Sequence, residues 1–181
     1  MEEIYKNLIE KEYYHDKRLL CVKYFNSNQL LVKKIGYYNN GKLSYYYNYR
    51  NGKQHGEQKG YWDNSKLKYY YNYKNGIRHG IQKYYSDNSK LSYHSNFKNG
   101  KKNGEQKFYY DNGNLRHYDN YINGLQHGDQ KFYYDNGNLW YHYKFKNGIQ
   151  YGDQKYYDKD NLWYHFKCYN NKQQGIEIEN E

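Results

Sequence analysis

The side chains of this chain that could do chemistry recur at a fixed interval. His55 and His79 stand 24 residues apart, and His127 falls two such steps after His79. Asp63, Asp87, Asp111 and Asp135 keep the same step, and so do Lys59, Lys83, Lys107, Lys131 and Lys155. A metal site or an acid–base centre would need His held at every step beside a partner. Asn103, Tyr151 and Gln174 take the equivalent places instead, so these His read as turn and packing residues. No H-x-x-x-H or C-x-x-C spacing occurs, and a structural zinc is not expected. The recurrent Asp precedes an Asn-Gly or Asn-Ser pair, where a carboxylate bonds its own backbone and starts a turn. Paired catalytic carboxylates need a concave site and unlike environments, which identical turns do not offer. Gly100/Gly104 and Gly124/Gly128 have G-x-x-x-G spacing without the Lys-Ser/Thr or the strand-to-helix context of a phosphate loop. No nucleophile, base and orienter come together, so the chain is expected to have no catalytic residue and no cofactor.

Two sets of residues could bind something. If the repeats stack in register, Lys59, Lys83, Lys107, Lys131 and Lys155 form a basic ladder suited to an anionic surface, either lipid head groups or nucleic acid. The same Lys equally suit the role of guards on exposed strands. The second set is aromatic: Tyr46, Tyr70, Tyr118, Trp140 and Trp163 take the strand parity opposite to the expected packed face. A row of such rings on one face is a candidate protein-contact surface. Nucleic-acid binders combine basic grooves with stacking rings, but most aromatics here take the packed parity, and a buried ring cannot stack on a base.

The elements that would hold these residues follow from the repeat. Leu43, Leu67, Leu91, Leu115 and Leu139 share the 24-residue step, as do Gly52, Gly76, Gly100, Gly124 and Gly148. Strict self-similarity of this kind marks a repeat architecture, in which one unit cannot bury its apolar face alone. Two Asn-Gly pairs divide a well-formed unit, as at Asn112-Gly113 and Asn123-Gly124. Asn-Gly between aromatic runs is the strongest short hairpin signal, because both residues accept positive φ. Each unit is therefore expected to hold two short strands and two turns. Leu139, Tyr141, Tyr143 and Phe145 share one parity, and Trp140, His142 and Lys144 the other; this period of two argues strand. The Leu–Tyr parity is the expected packed face. In Phe132-Tyr133-Tyr134 both parities are aromatic, and the buried face of that strand stays open. The expectation is an all-β array of antiparallel hairpins with about seven units and about fourteen strands.

The ends deviate as capping repeats do. Residues 1–11 read as a short amphipathic helix, 12–35 as a degenerate first unit without glycine turns, 36–175 as the array, and 176–181 as an acidic tail. An open sheet edge would offer a route to homo-oligomers.

The chain has 181 residues with 31 Tyr, no Pro and a formal net charge of +10. Ala and Thr are absent while Asn, Lys and Tyr abound. Tyr suits a half-buried strand surface; AT-rich coding, as in a giant virus, protist or bacterium, gives the same skew. Cys21 and Cys168 stand near opposite ends, too far apart in a linear array for a disulfide. There is no signal-like opening segment and no apolar run of membrane-spanning length. The expected setting is intracellular, soluble or peripheral to a membrane, and not secreted.

The pattern Tyr-x-x-x-Tyr/Phe-Lys-Asn-Gly-x-x-His-Gly, followed by Tyr-Tyr-Asp-Asn-Gly-x-Leu, resembles the MORN repeat, and in particular its variant form. The resemblance covers about residues 36–175. The usual unit carries Gly where this chain has Tyr47, Tyr71, Ser95, Asp119 and Tyr143, and a second Gly where it has Gln58, Gln82, Gln106, Gln130 and Gln154. Both departures move it toward the variant repeat. The resemblance implies a twisted hairpin array serving as a scaffold, with protein partners and, for some members, anionic lipids. Variant repeats also occur in bacterial antitoxin-like proteins, which implies inhibition of one partner as a further reading, and in number in giant viruses.

Overall fold

The computed structural model describes residues 8–158 and 161–177. Every element in it is a strand, and the chain falls into two compact units, Met1–Lys90 and Leu91–Glu181. The first holds β1 (Leu8–Tyr13), β2 (Leu19–Phe25), β3 (Leu31–Tyr37), β4 (Leu43–Arg50), β5 (Lys53–Tyr61), β6 (Leu67–Lys74) and β7 (Ile77–Tyr85). Each pairs antiparallel with the next. The second holds β8 (Leu91–Lys98), β9 (Lys101–Tyr109), β10 (Leu115–Ile122), β11 (Leu125–Tyr133), β12 (Leu139–Lys146), β13 (Ile149–Gln150), β14 (Gly152–Asp158), β15 (Asn161–Tyr169) and β16 (Lys172–Glu177). It is likewise an antiparallel meander, in which β13 and β14 both pair with β12.

The N-terminal helix expected over 1–11 is not formed at residues 8–11, which belong to β1. A helix this short is marginal, whereas Ile9 and Lys11 find register partners in Tyr24 and Val22. Residues 1–7, and the part of the acidic tail at 178–181, lie outside the described residues.

The two kinds of Asn-Gly pair make different turns. At Asn51-Gly52 and Asn123-Gly124 both residues have positive φ, 49° and 69° in the first and 52° and 88° in the second. This is the two-residue hairpin turn whose twist matches its strands. At Asn112-Gly113 only Gly113 is left-handed, at 96°. Asn112 Oδ1 there accepts from the Asn114 N–H at 2.9 Å, and Tyr110 N–H donates to Asn114 C=O at 2.9 Å. That is a three-residue loop with a bulge. The expectation of positive φ at both residues therefore fails at Asn112. The side chain of Asn112, turned back on its own backbone, holds the other conformation.

Burial is unusual. The fully buried large side chains include Gln58 and Gln82 in the first unit and Gln106, Gln130 and Gln154 in the second, while the buried apolar residues among the described ones are Cys21, Val22 and Cys168. The Tyr of the expected packed face are half-buried. They share their face with the buried Gln, since Tyr47 and Tyr71 are the register partners of Gln58. A bulge explains the Gln. Between the pairs Tyr47↔Gln58 and Tyr49↔Gln54, Asn48 of β4 faces His55, Gly56 and Glu57 of β5. Gly56, at φ 72°, makes this detour, and Gln58 Nε2 donates to the Asn48 carbonyl at 2.8 Å. Gln82 does the same to Asn72 at 2.8 Å, Gln106 to Asn96 at 3.1 Å and Gln130 to Asn120 at 3.1 Å.

A second set of bonds ties each repeat to the next. Tyr14 Oη donates to Tyr37 C=O at 3.0 Å, Tyr38 Oη to Tyr61 C=O at 2.6 Å and Trp62 Nε1 to Tyr85 C=O at 3.1 Å. In the second unit Tyr110 Oη reaches Tyr133 C=O at 2.7 Å.

Replacing Gln130 by Leu keeps the volume and removes the donor to Asn120. The expected cost is about 1–3 kcal/mol, the penalty for a buried carbonyl left unpaired, read as a lower urea midpoint. Gly124→Val should cost about 1–2 kcal/mol by forcing a β-branched residue to positive φ, and Gly124→Asn much less.

Candidate functional site

Cross-strand register builds one row on the polar face of each unit. In the first it runs Val22, Ile35, Tyr46, Lys59, Tyr70, Lys83. In the second it runs His94, Lys107, Tyr118, Lys131, His142, Lys155, His165. From β4 on in the first unit, and throughout the row of the second, the Lys of the ladder alternate with rings strand by strand, Tyr46, Tyr70 and Tyr118 of the five expected contact rings among them; at β2 and β3 the places are taken by the buried Val22 and by Ile35.

Trp140 does not belong to it. The register steps from Phe132↔Tyr141 to Tyr133↔Leu139, so Trp140 is the extra residue of a bulge and strict alternation fails there. Its ring lies 4.2 Å from Tyr141 and stacks on Tyr134 at 5.3 Å, which puts it on the aromatic face. The residue of this repeat that does enter the row is His142. Its spacing, three after the repeat Leu, is shared with Tyr46, Tyr70, His94 and Tyr118, a signal that could have found it. The side chain of Trp163 lies outside the described residues. Gly52, Gly76, Gly100, Gly124 and Gly148 all have positive φ at their turns.

The row is not a bare cationic line. Lys59 Nζ lies 2.7 Å from the Glu57 carboxylate and 5.6 Å from the Tyr70 ring centre, while Tyr70 Oη donates to Glu57 at 2.9 Å. Lys107, Glu105 and Tyr118 repeat this triad, with Lys107 Nζ 2.6 Å from Glu105, 5.8 Å from the ring, and Tyr118 Oη 3.4 Å from Glu105. In the later repeats Asp replaces Glu and His replaces Tyr: His142 Nε2 bonds Asp129 at 2.7 Å and His165 Nε2 bonds Asp153 at 3.1 Å. The hydrogen bond from Lys59 holds the Glu57 carboxyl below its ordinary value, and Lys107 does so for Glu105. Burial would raise the Asp129 carboxyl, but the His142 bond and charge outweigh it and leave it low. Asp153 is low chiefly through the bond from His165.

Positive charge is unequal between the units. Residues 1–90 carry seventeen Lys and Arg against eight Asp and Glu, a net +9, and residues 91–181 carry twelve against eleven, a net +1. The His of the His-Gly step sit at bulges, where His55 Nδ1 meets Asn75 Oδ1 of the neighbouring turn at 3.1 Å. Asn103 Oδ1 accepts from Asn123 N–H at 3.2 Å in the same place, as the turn reading of these residues requires. Among the described residues no three His, Cys, Asp or Glu come together as a metal group. No helix there is long and apolar enough to cross a membrane.

Antiparallel hairpins of 24-residue period, closed by Asn-Gly turns, define a hairpin-repeat protein. A family model described as the MORN repeat variant matches four consecutive repeats, residues 54–75, 78–99, 102–123 and 126–147, and the chain belongs to that family. MORN repeats are generally associated with protein or membrane-lipid binding and generally serve as non-catalytic scaffolds. No curated protein matches the chain.

The low carboxyls have a pH consequence. Because Glu57 and Glu105 titrate below their ordinary 4.5 in the folded state, their contribution is fully present above that value and is lost as pH falls through the depressed one. Melting temperature should therefore drop between about pH 5 and pH 3. The Glu57→Gln/Glu105→Gln double variant should show a shallower drop in scanning calorimetry.

Proposed function

We propose that this protein is a non-catalytic scaffold that binds a protein partner along its Lys–ring rows. The observation that carries the reading is the repeated triad of carboxylate, Lys and ring. Lys59 and Lys107 each have their charge largely compensated by an acid two residues earlier, and each Tyr offers an apolar ring with a polar tip. A surface of alternating sign with half-exposed rings matches another protein's mixed polar surface better than it matches a polyanion. Tyr adds contact area at low entropic cost.

A second reading is favoured by a separate observation. The net +9 of residues 1–90, with Lys33 Nζ 5.4 Å from the ring centre of Tyr46 in the row, supports peripheral attachment to an anionic membrane through the first unit. Attachment of that kind would weaken steeply with salt.

Flotation with neutral and anionic vesicles at low and near-physiological salt, with and without competing DNA, separates the readings. The expected result is no flotation at physiological salt. Partner capture should be kept when Lys59, Lys83, Lys107, Lys131 and Lys155 become Gln, and lost when Tyr46, Tyr70 and Tyr118 become Ser. Anionic-vesicle binding that survives physiological salt and DNA, and vanishes in the Gln variant, would replace the protein reading by the lipid one. Displacement by DNA would assign the ladder to nucleic acid.

A further inference from the structure

The aromatic face of the second unit holds a cavity of about 250 Å³ walled by Tyr134, Trp140, Tyr141, Tyr156, Tyr157 and Asp158. It lies apart from the Lys–ring row. The Tyr141 and Tyr156 rings stand at 89° with centres 4.5 Å apart, so two π-faces meet at a corner. Trp140 stacks on Tyr134 at 5.3 Å to form a further wall. Among the described residues no lining side chain is cationic, and the single charged group is the exposed carboxylate of Asp158. Rings whose faces carry negative potential, with one acid at the rim, select a cation.

The repeats themselves name the kind of cation. Trp62, Tyr110 and Tyr134 hold the same place in their repeats, and so do Lys68, Arg116 and Trp140. In the repeat of Trp62, Lys68 puts its ammonium 4.1 Å from the indole centre. In that of Tyr110, the Arg116 guanidinium lies 6.0 Å from both Tyr110 and Phe108. Both repeats fill the position with a cation from the chain itself. In the next repeat the cation is replaced by a third large ring, and the one-residue shortening that follows leaves Asp158 where the 24-residue step would bring another ring. Where the other two repeats hold a cation of their own, this one holds the Trp140 ring against Tyr134 and leaves a cavity beside that stack with an acid at its rim.

We propose that this cavity binds a methylated lysine side chain of a partner protein. Lys68 shows that the rings of this sheet face hold an alkylammonium, 4.1 Å from the indole centre of Trp62. Lys68 is tethered and always present; a lysine arriving from outside must shed its hydration in a half-open site. A bare ammonium is a strongly hydrated point charge, and methylation weakens that hydration while keeping the charge. Aromatic cages are suited to such quaternary ammonium groups. The volume is below the roughly 300–1,000 Å³ of pockets for drug-sized ligands, in keeping with capture of one head group.

The test is calorimetric titration of the full chain with a short glycine-flanked peptide carrying one trimethyllysine, the same peptide with unmodified lysine, and choline. The trimethyllysine peptide should bind about tenfold more tightly than the unmodified one. Trp140→Lys restores the internal cation of the Trp62 repeat, so it should abolish binding while the far-ultraviolet circular dichroism spectrum keeps its strand signature and unfolding stays cooperative, at a lower melting temperature for the lost ring contacts. Asp158→Asn should weaken binding several-fold. Equal binding of both peptides, or unchanged binding in Trp140→Lys, overturns the proposal, as does no binding at millimolar peptide. Choline, or phosphatidylcholine vesicles, binding as tightly as the peptide would assign the site to a lipid head group and overturn the protein source. None of these outcomes touches the Lys–ring row, so the two readings fail separately.

Discussion

The rest of the structure depends on one backbone constraint: a carbonyl at a bulge must find a donor. Each His-Gly step inserts extra residues into one strand, and the residue opposite loses its regular ladder partner. An unpaired buried carbonyl costs of the order of 1–3 kcal/mol, a large fraction of a small domain's margin. Here the donor is the amide of a Gln buried to 1 % exposure or less. It sits two residues past the bulge glycine and reaches across to the neighbouring strand. The same Gln takes the register place where the sheet is most enclosed, so a polar side chain does what a Leu does in an ordinary core. Its partners vary. Gln106 Oε1 accepts from the hydroxyl of Ser95 and Gln130 Oε1 from Gln126 Nε2 at 3.4 Å, while Gln58 Oε1 and Gln82 Oε1 are buried without a hydrogen-bond partner. The two Gln of the first unit thus bear a desolvation cost that the later ones avoid.

With so few buried apolar residues, stability must come from rings laid flat on strands. Tyr45 and Tyr69 lie over Gly36 and Gly60, where any side chain would collide with the ring. They stack on Tyr47 and Tyr71 with centres 4.6 and 4.8 Å apart. Burial pushes the Tyr45 phenol up to about 12. In the second unit, aromatic residues replace the glycines and meet their neighbours at varied angles: Phe132 meets Tyr141 edge-on at 83°, while Phe108 and Phe132 stack on His117 at 19° and 18°. His117 joins this series between Phe108 and Phe132, its Nε2 bonded to the buried Asp119 at 2.7 Å. One face of each unit is therefore spent on folding, and the opposite face carries charge and hydroxyls.

The turns and the faces were legible in the sequence because both rest on short-range rules. Positive φ favours Asn-Gly, and a period of two separates Tyr45 and Tyr47 from Tyr46. What was not legible came from register. Trp140 looks like a member of the outer row by strict alternation, but the bulge opposite Phe132 and Tyr133 moves it to the other face. Asn112-Gly113 reads the same as Asn123-Gly124, yet the side chain of Asn112 captures its own backbone and leaves one left-handed residue. The Gln series carried the 24-residue period as plainly as the Lys beside it. Only the size of the bulge, which no local pattern states, makes Gln the buried member of the pair and Lys the exposed one. The Lys and Tyr of the polar face look like rival sites in the sequence, which does not say which strand stands opposite which.

The ties from Tyr14 to Tyr37, Tyr38 to Tyr61 and Trp62 to Tyr85 span one repeat and no more. Each donor comes earlier in the chain than the carbonyl it holds. A hairpin leaving the ribosome would thus meet a ring already in place on the hairpin made before it, and nothing in such a tie waits for a distant part of the chain. Short sequence separation between contacting residues favours fast folding, and repeats that contact only their neighbours can order by propagation. Growth during synthesis then proceeds in one direction, each finished repeat serving as template for the next, with a single unpaired strand edge exposed at the growing end.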